Sequence, residues 1–452
     1  PSSLITHHSP SPMKWYLGTI GLLLVALALD LGLMAYAMYA LLGVMVVSRF
    51  LARAWAESLD AHRECNRYSA NVGDLVAVIL NVKNRGGLPV AWVLLEDLLP
   101  VEATAGPQPR LEVVGSCLQL AMLGPGGRKG ILYQIRCRGR GYFQIGPLAL
   151  ETGDLFGLHR RFRVVTAPHF LLVYPKVVPL EGYDVASRRP IGEVRLTHRL
   201  YEDPTRIAGV REFQTGDPLN RIHWRATART GTLHSKVYEP STVAGATLVV
   251  DFHRDSFAPE HEPYRSELAI TAAASVAHAL YQMGQQVGLV SNGRDAVDRI
   301  RREGWDPDPQ NRLIARQSAA MLDKSDRLQP VVVETCRGPE QLMRILETLA
   351  RLELTDGLPL AQALEEAASR MPRDATVLAL VSAVTLETAV ALGELRRRGF
   401  AVTALVNAYH LHEFEAACKP LMAEGVEARH LPDEAAIATV CENYMLRGSV
   451  RA

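Results

Sequence analysis

The sequence predicts a multidomain chain: an N-terminal transmembrane helical hairpin, an antiparallel β-sandwich and a C-terminal α/β domain. Three observations carry this. Trp15–Val47 holds one charge, Asp30, in an otherwise apolar run. Short alternating runs broken by turn residues fill 66–180. From Gly245 onward, strand-like and helix-like runs alternate. Alternating short strands indicate an antiparallel sandwich, and strand–helix alternation indicates a mostly parallel sheet with helices on both faces. The 452-residue length fits about three domains.

The hairpin is placed at 15–51, after an N-terminal tail at 1–14. One straight helix over Trp15–Val47 would run roughly 50 Å, too long for a hydrocarbon core of about 30 Å. Two helices turning at Asp30-Leu31-Gly32 fit better. Phe50 and Leu51 extend the second span, while Trp15, Tyr16 and Trp55 suit interfacial positions. Lys14 precedes the hairpin, and Arg49, Arg53 and Arg63 follow it. Basic flanks on both sides predict that both face the cytoplasm, with Asp30 near the outer surface.

Hydrophobic residues make up 48% of the chain, ample for packed cores. With 49 basic and 48 acidic residues there is no global field to recruit nucleic acid, so none is expected as a partner. The six cysteines are scattered, without the close pairs of a zinc or redox site.

In the sandwich, strands are expected at Leu75–Val82, Ala91–Leu95, Leu111–Val114, Cys117–Met122, Ile131–Arg136, Gly141–Ile145 and Phe170–Tyr174, with a turn at Asn84–Gly87. Asp154–Leu158 reads as a packed turn burying Phe156. No His, Cys and carboxylate cluster falls inside this module. The stretch 181–243 then holds a basic linker, Ser187–Tyr201, and a denser segment.

That segment, Gly209–Glu239, combines a turn, a capped helix and a row of arginines. Asp217-Pro218 is a helix start, because Asp accepts from free first-turn amides and Pro gives up an amide without a partner. Gly231 is a natural stop. On such a helix Arg221, Arg225 and Arg229 share one face, with Trp224 beside them. The stripe reads either as an internal ion-pair network with Glu212, Asp217 and Glu239, or as a docking surface for an acidic partner.

These residues resemble the diagnostic segment of the domain of unknown function 58 family. Arg211-Glu212-Phe213, Gly216-Asp217 and Arg221-Ile222-His223-Trp224 follow in that family's order, ahead of the Ala226–Ala228 stretch. Upstream, Arg140-Gly141-Tyr142, Gly146-Pro147 and Gly153–Leu158 resemble a second motif pair of the family, with Leu155 where Pro is usual. The resemblance implies a bacterial cytoplasmic-membrane protein with a β-sandwich. It also implies a protein partner, a MoxR-class AAA+ ATPase, and a role in assembling or maturing a complex.

In the last domain, 244–452, strands are expected at Ala246–Phe252, Val287–Ser291, Ala375–Val381, Ala401–Val406 and Val426–His430. Helices are expected at Tyr264–Met283, Glu340–Arg351, Leu386–Arg398, Leu411–Ala423 and Glu434–Leu446. Ligands of such sheets sit beyond the carboxyl ends of the strands, where Asp251 stands. This placement resembles the von Willebrand factor A domain, whose metal site needs Asp-x-Ser-x-Ser, a Thr and a later Asp, hard oxygen ligands for Mg²⁺. Asp251-Phe252-His253-Arg254-Asp255 keeps the first Asp alone, Thr355 would supply the Thr, and Ser382-Ala383 stand where the later Asp is wanted. The pair Asp251 and Thr355 reads as a degraded site, and no cofactor is expected. There is no phosphate loop, no Gly-x-Ser-x-Gly elbow and no assembled triad. A non-enzymatic scaffold or adaptor is the resulting expectation, with a Mg²⁺-dependent ligand-binding protein as the alternative.

Overall fold

The structure is a computed structural model. It describes residues 12–106, 108–157, 159–180, 202–213, 222–240, 245–302, 329–372 and 375–438. The described parts of Pro1–Pro175 and Asp295–Asp323 form one compact unit, and those of Lys176–Arg294 and Lys324–Ala452 form a second.

The first unit opens with two apolar helices, α1 (Pro12–Ala28) and α2 (Gly32–Ser58). They meet where the sequence places the turn. Asp30 takes a positive φ of 53°, one of the few non-glycine types that tolerate it. α2 is long and apolar enough to cross a membrane, whereas α1 is a shorter apolar helix. The helix runs past residue 51 and ends at Ser58. Trp55 is not an interfacial anchor: at 4% exposure it packs in the core of the strands that follow. The far end of α2 is stitched to that body. Ser48 donates to the Asp154 carboxylate, and Arg163 donates to the carbonyls of Ala56 (3.0 Å) and Glu57 (3.2 Å). These carbonyls lie in the last helical turn, where backbone acceptors have no partner of their own.

The strands of this unit are β1 (Leu59–Cys65), β2 (Ser69–Asn71), β3 (Leu75–Asn84), β4 (Val90–Asp97), β5 (Leu111–Val114), β6 (Leu118–Leu123), β7 (Arg128–Cys137), β8 (Gly141–Ile145), β9 (Leu148–Gly153), β10 (Arg160–Val164) and β11 (His169–Tyr174). Two four-stranded antiparallel sheets run β1-β3-β7-β5 and β10-β9-β4-β6, and a third sheet runs β2-β11-β8. Period-two alternation sends Val76, Val78, Leu80 and Val82 of β3 and Ile131, Tyr133 and Ile135 of β7 into one hydrophobic core. Val93 and Leu95 of β4 and Leu148 and Leu150 of β9 join it. Four strands lay outside the expected set: β1, β2, β9 and β10. β1 and β10 are charged, and β9 reads as a short apolar run beside a motif. The turn after Asp154 forms, but the expected burial of Phe156 is corrected. Phe156 is 69% exposed, and it is Asp154 that is buried, accepting from the His159 amide at 2.8 Å.

In the second unit, β12 (Glu202–Glu212) and β13 (His234–Pro240) pair antiparallel, with α3 (Trp224–Thr230) between them. The main remaining elements are β14 (Gly245–Val250), α4 (Tyr264–Gln282), β15 (Gln286–Ser291), β16 (Val331–Cys336), α5 (Pro339–Arg351), α6 (Leu360–Ala367), β17 (Thr376–Val381), α7 (Leu386–Arg397), β18 (Ala401–Val406), α8 (Leu411–Ala423) and β19 (Glu427–His430). The six-stranded sheet runs β16-β15-β14-β17-β18-β19, parallel except for the β15–β16 pair. Both faces are covered, so β14 is buried along its length. Leu248 and Val250 pack with Leu268 and Ala272 of α4 and Ile345 of α5, while Val249 packs with Leu364 of α6 and Leu392 of α7. β16 and α6 were not expected from the sequence. The expected linker at Ser187–Tyr201 and most of the expected last helix, Glu434–Leu446, lie outside the described residues.

The chain is therefore multidomain, with N-terminal apolar helices, several antiparallel sheets and an α/β region. Cys65, Cys117, Cys137, Cys336 and Cys418 are free thiols.

Candidate functional site

The family-like segment divides in the structure. Gly216, Asp217 and Arg221 lie outside the described residues, and with them the expected Asp217-Pro218 start. The single helix from Asp217 to Gly231 is corrected. Ile222 bridges to Ser235, His223 donates its amide to the His234 carbonyl at 2.8 Å, and the helix begins only at Trp224. His223 caps it, its Nδ1 accepting from the Ala226 amide at 3.0 Å. Two sheet-type bonds on Ile222 and His223 outcompete a helical turn there. Gly231 ends the helix as expected, with φ 75° and its amide on the Thr227 carbonyl. Of the expected stripe, Arg225 and Arg229 fall within the described residues. Those two are exposed, and among the described residues neither pairs with a carboxylate. Trp224, 68% exposed, stands on the same short helix. Arg211 and Glu212 close β12 opposite Ser235 and His234, and Ile222 is buried.

The upstream motif has a structural reading. Gly146 holds φ 82°, and any Cβ there would collide with the Arg63 guanidinium. The glycine thus admits Arg63 to the interior. Arg63 pairs with the Asp97 carboxylate and donates to the Ile145 carbonyl at 2.9 Å, and Tyr133 donates its hydroxyl to the other Asp97 oxygen. Burial raises the Asp97 carboxyl against the pull of Arg63 and Tyr133. Burial also pushes the Tyr133 hydroxyl up, so it stays a donor.

Thr355 bonds the residues that follow Asp251, at the carboxyl edge of the six-stranded sheet. The Thr355 amide donates to the Phe252 carbonyl at 3.2 Å, and the Arg254 amide donates to the Thr355 carbonyl at 2.7 Å. Both Asp251 oxygens are engaged. One accepts from the Ser256 hydroxyl at 2.7 Å, the other from Asn292 Nδ2 at 2.9 Å and the His253 amide at 3.2 Å. Burial raises its carboxyl, and the Ser256 and Asn292 bonds oppose that. The Thr355 hydroxyl accepts from the Gly357 amide at 3.1 Å. A Mg²⁺ ion needs several oxygens free to point at one centre. This set turns hydroxyl and amide donors onto the carboxylate, and among the described residues no group of three His, Cys, Asp or Glu gathers anywhere to supply others. The residues do not fit the ion.

Beside Asp251 lies a groove of about 990 Å³, bounded by the ends of β17 and β18 and the starts of α4 and α8. Its floor is Arg265, only 3% exposed. Arg265 Nη1 donates to Asn407 Oδ1 at 3.0 Å and to the Pro432 carbonyl at 2.8 Å, and Asn407 Nδ2 returns a bond to the Arg265 carbonyl at 2.8 Å. Arg265 Nε and Nη2 find no acceptor among the described residues, and neither does the Ser382 hydroxyl. Tyr409 lies against the guanidinium, 5.0 Å from the ring centre. The sequence reading missed this cluster. Its signal was available: Arg265 falls on the apolar stripe of Leu268, Ala272 and Val276, where a charge must be paired or used.

Residues 209–306 match the model of a family described as protein of unknown function DUF58. Over that segment the chain is similar to the DUF58 family. The chain is also similar to the uncharacterized protein YeaD of Bacillus subtilis (strain 168), 24% identical over 261 residues, which are 57% of this chain and 62% of that protein. The similarity thus stops short of two thirds of the relative's length. Similar solved structures include the CARDB domain of PF1109 from Pyrococcus furiosus, at 15% identity over 25% of this chain and 91% of that one, TM-score 0.16. A FixG-related protein from Vibrio parahaemolyticus is similar at 9% identity over 26% and 96%, TM-score 0.17. Trypsin-activated alpha-2-macroglobulin from Escherichia coli is similar at 16% identity over 36% and 9%, TM-score 0.21.

Proposed function

We propose that the chain is a membrane-anchored, non-enzymatic scaffold or adaptor that works by gripping protein partners. The observation that carries this reading is the engagement of Asp251. The carboxylate best placed for metal or acid–base chemistry already accepts from Ser256, Asn292 and the His253 amide. What remains at that edge is a groove suited to binding. In this reading both N-terminal helices form the anchor, and the basic residues flanking them place the soluble units in the cytoplasm. The antiparallel unit is a β-sandwich and the α/β unit a von Willebrand A-like module without its ion. No cofactor takes part.

The partner is the MoxR-class AAA+ ATPase that the family resemblance implies, in assembly or maturation of a protein complex. Exposed Trp224, Arg225 and Arg229 offer the candidate docking surface. The test is co-purification, in detergent, of the tagged full-length protein with a co-expressed MoxR-class ATPase from the same genome. Combined Arg225→Glu and Arg229→Glu substitutions are expected to cut recovery of the ATPase at least tenfold. Melting should barely move, since exposed substitutions change stability by about 0.5 kcal/mol or less. Absence of the ATPase from the parent protein's eluate would contradict the reading.

A further inference from the structure

We propose that the groove beside Asp251 binds a carboxylate presented by a peptide, with the unpaired edge of Arg265 as its anchor. The inference rests on the adaptor reading and names the chemistry of the partner.

The two orphan nitrogens, Nε and Nη2, lie on the same edge of the guanidinium, the edge that takes a carboxylate through two parallel N–H···O bonds. Arg stays charged, so burial cannot be relieved by losing the proton. Burial does lower its hold on that proton, and among the described residues no carboxylate forms an ion pair with it. The carboxylates around the groove are engaged elsewhere. Glu413 accepts from the Tyr409 and His410 amides, both at 3.1 Å, and Glu262 accepts from the Ser266 amide at 3.0 Å. Among the described residues, no acid therefore meets the orphan edge. The Ser382 hydroxyl, also without an acceptor, lines the same groove and adds a third donor.

A peptide fits better than a small acid. A volume of about 990 Å³ sits at the top of the range for small-ligand pockets. Phe257, Ala258, Pro259, Val384 and Ala416 give it apolar walls for the body that carries the charge. Arg265 is shielded from solvent, with the ring of exposed Tyr409 lying over its guanidinium.

The experiment is fluorescence anisotropy with full-length protein in detergent and three labelled peptides of equal length. One has a free C-terminal carboxylate and no acidic side chains, one is amidated and carries Asp and Glu, and one is amidated and neutral. Binding of the first or the second supports the inference and tells a chain terminus from a side chain. The neutral peptide should bind at least tenfold more weakly. Arg265→Lys keeps the charge and loses the planar fork, and should weaken binding at least tenfold. Because Arg265 also ties Asn407 and Pro432, a second variant is needed. Ala416→Glu adds a carboxylate at an exposed wall position and should weaken binding as much without touching the core. Equal binding of charged and neutral peptides, binding of none, or parental affinity in both variants would overturn the proposal. If no peptide binds while the ATPase still co-purifies through Arg225 and Arg229, the groove inference fails and the adaptor reading stands. If both experiments fail, the adaptor reading goes with it.

Discussion

Arg63 in the first unit and Arg265 in the second are two guanidinium groups held away from water, and they are met in opposite ways. Arg63 faces the Asp97 carboxylate, which Tyr133 also holds, and its Nη1 reaches the Ile145 and Ala167 carbonyls. Arg265 meets only neutral oxygens, from Asn407, Leu431 and Pro432. A buried charge given a counter-charge is architecture. A buried charge left with two free donors is a place for something to bind. Arg63 also keeps one buried nitrogen, Nε, without an acceptor, so the two differ in the counter-charge: Arg63 has one, and Arg265 has none among the described residues.

The sharpest way to break this contrast is to remove the counter-charge where one exists. Asp97→Ala strands Arg63 and the Tyr133 hydroxyl in the interior and should cost about 3–5 kcal/mol of stability. Chemical unfolding of the full-length protein in detergent, followed by the fluorescence of buried Trp55, reads this directly. A loss below about 1 kcal/mol would make the pair no more than an exposed one, and the contrast would vanish.

A smaller effect is expected at Asp251. Asp251→Ala takes the acceptor from the Ser256 hydroxyl and from one N–H of Asn292, whose other bond to the Leu358 carbonyl stays, and should cost about 1–3 kcal/mol. Added Mg²⁺ or EDTA should shift the melting point of neither the parent nor the variant. A Mg²⁺-dependent rise in the parent that disappears in Asp251→Ala would restore the metal-binding alternative.

How far these features were readable in the sequence depends on the reach of each interaction. The hairpin turn at Asp30, the β3 and β7 alternation, and the strand–helix order of the last unit are local patterns, and each fell close to its expected place. Gly231 as a helix stop is equally local. The failures are non-local. Ile222 and His223 have helix-compatible neighbours, yet they are recruited by Ser235 and His234 across the β12–β13 pair. Trp55 sits within an apolar helix, and only strands later in the chain bury it. Phe156 resembled a core residue, whereas Asp154 is the buried one because Ser48, far upstream, donates to it. β1 and β10 carry charges at half their positions and gave no apolar signal. At the candidate site, Asp251 was legible from its position after a buried strand. Its partners Ser256 and Asn292 were legible only in part, since Asn292 arrives from another strand end. The Arg265–Asn407 clamp joins residues 142 positions apart, and no spacing rule reaches that far.

The most direct test of the contrast watches both guanidinium groups at once. The Nε–H signals of ¹⁵N-arginine-labelled full-length protein in detergent can be assigned with Arg63→Lys and Arg265→Lys and followed during titration with a carboxylate-bearing peptide. The account predicts that the Arg265 signal moves and becomes protected from exchange, while the Arg63 signal stays where it was. An Arg265 signal that ignores the peptide, or one that moves no more than that of Arg63, would contradict it.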